Sequence, residues 1–438
     1  MKTYQDWLAA TDKPAFLLEA VQQYKLSPFF RKALEAAAYF RGENPAVARK
    51  TILQAGKVTV RDAEGNRRTR AVTRDVVGSR IGSGIFFRLV VQQNQYLLQN
   101  GCLLPPGLKP RLGADFDRKL AEMGEKALIA GVCWGFFNAD RLEVLDAARD
   151  SLSGCFALPD EETGAWRLAV QFWQVGRDKP LYLRVFEEDG LSVYRREPGG
   201  LRLHRAKRPY LTLCRGAEET PVNWRGLPVF PLMANPEGRS ELTPAIQAKI
   251  DAYDRILSDF SDNLDRANDV YWVLNNFGGT SEDIAATLAE ISRLKAVVSY
   301  ADGSGANASA EPHTLEVPHQ ARTAALELLR KALYDDFMAL DTTRLRGGSI
   351  TNVAIRTARA DLDLKTDRWE WQVFGFVQAL LKLLGTETDR IRFPRQQIAD
   401  DTETIANIYA MRQDIDRATA LRLNPLMQPE EAEALAKG

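Results

Sequence analysis

Acidic side chains are the residues of this chain whose type and spacing come nearest to catalytic chemistry. Four of them fall on one side of a predicted helix: Asp251, Asp254, Asp262 and Asp265. Paired carboxylates can hold two divalent metal ions for phosphodiester cleavage, so a metal-dependent nuclease is one function to consider. Against it, carboxylates along one exposed helix face point outward and do not converge on a pocket. The same pattern is typical of a solvated helix face, or of a negative wall that faces an anionic polymer.

Other catalytic signatures are missing from the sequence. It contains no GxxxxGK[ST] phosphate loop, no GxSxG and no HExxH, and its glycines near position 80 do not have GxGxxG spacing. The histidines and cysteines lack metal-ligand spacing and are predicted to be packing or surface residues: His204, His313, His319, Cys102, Cys133, Cys155 and Cys214. We therefore expect a protein that is not an enzyme, with no catalytic residue, no metal and no cofactor.

The charge balance restricts the nucleic-acid partners that the chain can have. Lys and Arg number 58, and so do Asp and Glu, which gives a net charge of zero. A protein that holds nucleic acid tightly would be basic, but a protein that lets DNA slide past need not be. The N-terminus has no signal-peptide core, and the apolar stretches Ile85–Leu98 and Val373–Leu384 are too short or too polar for a membrane span. We expect a protein without a membrane segment.

The elements that must position these residues begin with helices and continue into a β region. Ser27 and Pro28 are an N-cap and first-turn pair, and the polar cluster 62–66 predicts a hairpin turn. Residues 130–232 consist mainly of short aromatic or β-branched segments separated by Gly, Asp and Pro, which predicts strands. The prolines at the end of this region would interrupt a central strand.

Helical patterns dominate after residue 240. Thr243 and Pro244 open a helix whose apolar residues alternate steps of four and three, which predicts a narrow packing seam. The seam consists of Ile246, Ile250, Tyr253, Leu257, Phe260 and Leu264. A small α/β insertion at about 270–318 separates this helix from a second one at Gln320–Leu340. The longest predicted helix runs from about Asn352 to Leu384, with Gly385 as its C-cap. The fold class is α+β.

The insertion is predicted to project from two helices. Strands are expected at Val270–Leu274 and Thr314–Val317, with a helix from Ser281 to about Leu294 between them and a further strand at Lys295–Tyr300. Seams on both flanking helices give each helix two partners, its mate and a neighbouring copy. Head-to-tail contacts of that kind close into a ring.

Several motifs occur in the order found in one family of proteins. Gly226-Leu-Pro-Val-Phe-Pro231 is followed by Ile250-Asp-Ala-Tyr-Asp254 and by Ser258-Asp259. Weaker similarities are found at Ile81–Leu98, Leu120–Phe136, Gly347–Ile350 and Arg417–Pro425. In this order the chain resembles the portal (head–tail connector) proteins of tailed siphophages over most of its length.

The resemblance implies a ring, usually twelvefold, around an axial channel. It also implies a division of each subunit into a wing (1–240), a stem helix (241–268), a clip (269–318), a second stem helix (319–341), a tunnel loop (342–352), a long crossing helix (353–385), a wing return strand (386–400) and a crown (401–438). The implied partners are double-stranded DNA in transit, the terminase large subunit, a head-completion adaptor, and the major capsid and scaffolding proteins. The implied location is the portal vertex of the virion, after assembly in the host cytoplasm.

Two sets of site residues follow. The tunnel loop is expected to face DNA through Arg344, Arg346, Gly347, Gly348 and Ser349, with the glycines as hinges. The ordinary alternative for this loop is a helix–helix turn. The four aspartates at 251–265 are expected to line the channel. A different ring-forming adaptor or scaffold component, and the nuclease, remain the alternative functions.

Overall fold

The computed structural model contains both helices and strands, which confirms the mixed α and β class. It describes residues 2–61, 67–215, 218–267, 270–275, 309–314, 319–345, 352–395, 401–411, 415–424 and 435. The chain divides into two compact units. Unit 1 comprises Met1–Pro45, Ser83–Ile250 and Lys331–Gly438, and unit 2 comprises Ala46–Gly82 and Asp251–Arg330.

Unit 1 begins with three helices, α1 (Tyr4–Ala9), α2 (Lys13–Leu26) and α3 (Pro28–Phe40). A short helix, α4 (Pro45–Ala48), follows them in the chain. The hydroxyl of Ser27 accepts a hydrogen bond from the amide of Phe30 at 3.1 Å, and Pro28 occupies the first turn of α3. The predicted N-cap at this position is therefore confirmed.

The β region of unit 1 contains a six-stranded antiparallel sheet in which strands adjacent in sequence pair with each other. Its strands are β5 (Ala148–Asp150), β6 (Ser153–Pro159), β7 (Trp166–Trp173), β8 (Tyr182–Glu187), β9 (Gly190–Glu197) and β10 (Gly200–Arg208). One face packs on the first helices, where Phe156, Phe172 and Leu183 contact a core that includes Leu17 and Phe30. Because side chains alternate along a strand, the neighbouring residues point to the opposite face.

A three-stranded sheet covers part of that opposite face. It has the order β13 (Val229–Met233), β3 (Val132–Asn138), β4 (Arg141–Asp146). Pro231 lies in β13, at the edge of this sheet, where its missing N–H removes no ladder bond that the sheet needs. The prolines thus do not prevent strand formation here. A separate hairpin joins β11 (Leu211–Arg215) to β12 (Glu218–Val222).

Three further helices pack in unit 1. These are α5 (Ile85–Leu98), α6 (Phe116–Ala130) and the long α9 (Asn352–Leu383). Trp369 of α9 is fully buried, and Gly124 of α6 lies so near it that a Cβ there would stand 3.3 Å from the Trp369 ring. Gly385 has φ +71°, as predicted for a C-cap, and the amide of Thr386 donates to the Leu381 carbonyl at 3.0 Å.

Unit 2 contains a long hairpin and parts of two helices. In the hairpin, β1 (Thr51–Arg61) pairs antiparallel with β2 (Arg67–Val77), and the turn predicted at 62–66 lies outside the described residues. The first helix, α7 (Pro244–Ala267), leads into β14 (Val270–Asn275). Strand β15 (Ser309–Thr314) pairs antiparallel with β14 and precedes α8 (His319–Phe337).

Some predicted elements differ or lie outside the described residues. Of the strand predicted at Thr314–Val317, Thr314 is the last described residue of β15, and residues 315–317 lie outside the described part of the chain. The helix and strand predicted at 281–300 lie outside the described part of the chain. Of the wing return strand implied at 386–400, the described residues 386–395 show one isolated bridge, between Arg392 and Leu103.

The C-terminal region contributes α10 (Asp401–Ala410) and α11 (Arg417–Leu423). Among the described helices, none combines the length and the apolar character that a membrane crossing requires.

Candidate functional site

Acidic side chains of α7 bind the residues that flank the β1–β2 hairpin in unit 2. Asp262 accepts a hydrogen bond from Lys50 Nζ at 2.5 Å and another from the Ser79 amide at 2.7 Å. Lys50 also forms an ion pair with the exposed Asp259 at 2.7 Å. Lys50 precedes β1, and Ser79 follows β2 by two residues. One helix therefore fixes both ends of the hairpin.

For both Asp262 and Lys50, burial and hydrogen bonds shift the pKa in opposite directions. Burial by itself raises the pKa of Asp262, but the hydrogen bonds from Lys50 and Ser79 outweigh it and hold that pKa below its usual value. Burial lowers the pKa of Lys50, and the bonds to Asp259 and Asp262 more than reverse this, so its pKa is raised. Both groups are charged at neutral pH.

Ser258 extends the same contact one helical turn earlier. Its hydroxyl donates to the Asp254 carbonyl at 2.7 Å and accepts the Ile81 amide at 3.1 Å. Residues 46–82 belong to unit 2 together with the later part of α7, and their assignment to the wing stays a prediction. The sequence signal for this contact is the Ser258-Asp259 pair followed by Asp262. The side-chain oxygens of Ser258 and Asp262 accept hydrogen bonds from the segments on either side of the hairpin.

The prediction of a single exposed acidic face is wrong for two of the four aspartates. The Asp254 side chain is 0% exposed and Asp262 is also buried, so neither can line an open channel in this conformation. Burial of a charge requires partners, and for Asp262 these are Lys50 and Ser79. Asp251 is half-buried, and the side chain of Asp265 lies outside the described residues. A channel-lining role remains a proposal for these two.

The predicted apolar seam of α7 changes from buried to exposed along the helix. Ile246 and Ile250 are buried in unit 1. Tyr253, Leu257 and Phe260 are half-buried, and Leu264 is 48% exposed. In unit 2 the guanidinium of Arg322, on α8, lies 6.0 Å from the Phe260 ring. In unit 1 Lys249 of α7 forms an ion pair with Asp336 of α8.

The end of α8 is held by side chains from two other parts of unit 1. Lys365 of α9 donates to the Phe337 carbonyl at 2.9 Å, lies 3.1 Å from the centroid of the Phe337 ring, and pairs with Glu241 at 2.8 Å. A cation at a helix C-terminus satisfies a carbonyl that has no helical partner. Burial lowers the pKa of Lys365, and the Glu241 carboxylate opposes this shift.

The segment after α8 is fixed as well. Met338 adopts φ +58°, a left-handed conformation that reverses the chain, and the Ala339 amide closes the turn on the Tyr334 carbonyl at 2.9 Å. Gln92 of α5 then makes two hydrogen bonds to the backbone of Leu340: its amide donates to the carbonyl, and its oxygen accepts the N–H, both at 2.9 Å.

These contacts hold the base of the predicted tunnel loop. A 3₁₀ turn at Thr342–Leu345 follows the fixed segment, and the buried Asp341 accepts the Thr343 amide at 3.0 Å. Of the predicted loop residues, Arg344 lies in the 3₁₀ turn. The other four, Arg346, Gly347, Gly348 and Ser349, lie outside the described residues.

The described residues give no support to a metal centre. Within them, no group of three or more His, Cys, Asp or Glu side chains is arranged to hold an ion. The cysteines are free thiols; Cys102, Cys133 and Cys155 are buried and Cys214 is exposed. Burial raises the pKa of the Cys102 thiol to about 12, which makes it a poor nucleophile at neutral pH.

Comparison with known proteins identifies the class. A sequence family described as phage portal protein, SPP1 Gp6-like, matches residues 111–437. Because the match covers most of the chain, this protein belongs to that family of phage portal proteins. The resemblance inferred from the motifs is confirmed, and it favours a portal protein over an adaptor or scaffold component.

Individual relatives agree with the family. The portal protein of Clostridium phage phiCD119 is 29% identical over 161 residues, 35% of this chain and 35% of that protein. The portal protein of Bacillus phage SPP1 is 26% identical over 243 residues, 52% of this chain and 46% of that protein. The matched regions thus span between a third and a half of the length of these relatives.

Proposed function

We propose that copies of this chain form a closed ring, twelvefold as the resemblance implies, at one vertex of a phage or prophage capsid. The ring is the channel for double-stranded DNA during packaging and ejection. It is also the docking site for the terminase large subunit and later for the head–tail adaptor. Membership of the portal family supports a structural role in the virion rather than an enzymatic one.

The main support for the ring is that the apolar seam of α7 becomes more exposed from Ile246 to Leu264. An apolar stripe whose last residue, Leu264, is about half exposed offers a surface to another copy of the chain. Contacts between different surfaces of identical subunits generate a closed ring when the rotation between neighbours closes. In this arrangement α7 and α8 are the stem, and the antiparallel pairing of β14 with β15 supports a clip that projects from them.

DNA transit requires contact that is weak and independent of sequence. A strongly basic channel would hold DNA by releasing its counterions, whereas an acidic wall lets it slide. Within the stem this role falls to Asp251 and Asp265, because Asp254 and Asp262 are buried. Residues 344–349 form the constriction, and the anchors at Lys365 and Gln92 give that loop a fixed base.

The ring can be tested with one substitution in the seam. Leu264→Asp places a charge on the exposed apolar surface, so rings should be lost while the thermal unfolding of the chain stays unchanged. Leu8→Asp is the matched control, because Leu8 is also an exposed leucine on a helix. Negative-stain images and light scattering of all three proteins report assembly. A wild-type protein that stays monomeric at high concentration and varied salt would overturn the proposed ring.

A further inference from the structure

One face of the six-stranded sheet in unit 1 is only partly covered. At one end, Cys155, Ala169 and Phe186 pack against the three-stranded sheet. Further along the same face the strands carry Gln171, Trp173, Tyr182 and Arg184, since side chains two residues apart point the same way. These four line an open cavity of about 700 Å³, which we call the sheet groove.

The sheet groove contains aromatic side chains that no other part of unit 1 covers fully. Trp173 and Tyr182 are directly opposite in the sheet, and their rings are stacked with centroids 5.5 Å apart and planes at 13°. Arg195 lies 5.8 Å from the Tyr182 ring, and His204 meets that ring edge-on at 5.9 Å. Val175, at the rim, is 85% exposed.

The groove also carries an excess of positive charge. Arg149, Arg205 and Arg208 line it, are exposed, and form no ion pair within the described residues. The lining also contains two acidic residues, of which only Asp146 is paired with a cation in the part of the chain that the structure describes, so the three arginines outnumber the remaining carboxylate of Asp150. Asp146 is paired with Lys126 at 2.7 Å, and Asp150 accepts the Leu152 amide at 2.7 Å. In a chain of zero net charge, this concentration of arginine marks a surface for an anionic partner.

We propose that the sheet groove is a docking site for an acidic peptide segment of a protein partner, one that also carries an apolar side chain. Trp, Tyr and Arg are the residue types that contribute most to protein interfaces. A concavity of this volume takes a few side chains. A DNA duplex is disfavoured, because it presents no apolar side chain to the stacked Trp173 and Tyr182 rings. This inference goes beyond the proposed ring and channel and does not depend on them.

The test measures binding of a short fluorescein-labelled peptide of glutamate, serine and leucine by fluorescence polarisation. Arg205→Glu/Arg208→Glu reverses the groove charge, and Trp173→Ala removes the stack. Each should weaken binding by about tenfold or more. The matched control is Arg225→Glu/Arg239→Glu, which makes the same charge change at exposed arginines outside the groove and should leave affinity within about twofold. If the reversed variant does not fold by circular dichroism, Arg205→Ala/Arg208→Ala replaces it.

Several outcomes would overturn the proposal. A labelled DNA duplex that binds at least as tightly, and loses binding in the same variants, would make the groove a nucleic-acid surface. Loss of assembly in the groove variants alone would make it an interface between copies. If a peptide with serine in place of leucine binds equally well, or if all variants bind the peptide with equal affinity, binding at the sheet groove is non-specific.

The proposed ring is tested separately. If the wild type forms no rings but still binds the peptide, only the proposed ring is contradicted.

Discussion

At the scale of the residue, identical side chains on α7 serve different purposes. Asp259 is exposed and Asp262, less than one turn later, is buried between Lys50 and the Ser79 amide. A surface ion pair contributes little to stability, whereas a buried carboxylate that satisfies a lysine and an amide leaves both unpaired when it is removed. The position of each aspartate relative to the hairpin, and not its type, decides what it does.

Asp262→Ala should therefore lower the free energy of unfolding by about 1–3 kcal/mol, because Ser79 loses its partner and Lys50 keeps only the exposed Asp259. Asp259→Asn is the matched control and should cost less than about 1 kcal/mol. Urea unfolding of both variants measures the difference. Equal costs would contradict the view that burial separates the two aspartates. Asp254→Lys or Asp262→Lys should disturb folding of unit 2 and is unsuitable as a test of the channel.

The same ion pair predicts a pH dependence. The pKa of Asp262 is lowered on folding, so its contribution is fully present above about pH 4, the ordinary aspartate range. It is lost as the pH falls through the lower folded pKa. The pKa of Lys50 is raised, so its contribution is lost only as the pH rises through that raised value, at strongly alkaline pH. The stability difference between wild type and Asp262→Ala should be constant at neutral pH and should shrink in acid.

At the scale of the element, the end of α8 shows how a helix is stopped where no glycine is available. Met338 takes the left-handed conformation that glycine usually adopts, which costs roughly 1–2 kcal/mol. Neighbouring contacts offset this cost: Lys365 binds the Phe337 carbonyl, and Gln92 satisfies both backbone groups of Leu340. The result is a fixed base from which the predicted tunnel loop begins.

Gln92→Ala leaves the N–H and carbonyl of Leu340 without their partner, so it should lower the free energy of unfolding by about 1–3 kcal/mol. Gln95→Ala is the control on the same helix, since the Gln95 side chain makes no hydrogen bond within the described residues. Hydrogen exchange at the Leu340 amide should become faster in the first variant only. Unchanged exchange would mean that the loop base is held by Lys365 alone.

At the scale of the whole molecule, the proposed channel depends on the loop between α8 and α9. Gly347→Pro/Gly348→Pro should leave rings intact and reduce the DNA packaged per capsid, measured by nuclease protection, because proline fixes a backbone angle that glycine leaves free. Gly347→Ala/Gly348→Ala is the control and should package more DNA than the proline variant. Normal phage yield from the proline variant would favour an ordinary helix–helix turn.

Local signals in the sequence determined much of the fold. The N-cap at Ser27, the paired strands on either side of residues 62–66 and the C-cap at Gly385 lie where predicted, because each depends on the conformational preference of a few adjacent residues. The order of the motifs also indicated the portal family, which the family match confirms.

Only the tertiary structure decided which polar residues are buried. The sequence grouped Asp254 and Asp262 with exposed aspartates, since helical spacing defines a face but not what covers it. Nor did it indicate that residues 79–81 contact α7, because the bonds from Ser79 and Ile81 to α7 join residues almost two hundred positions apart. Pairing over such separations depends on the final arrangement of the chain, and no local pattern records it.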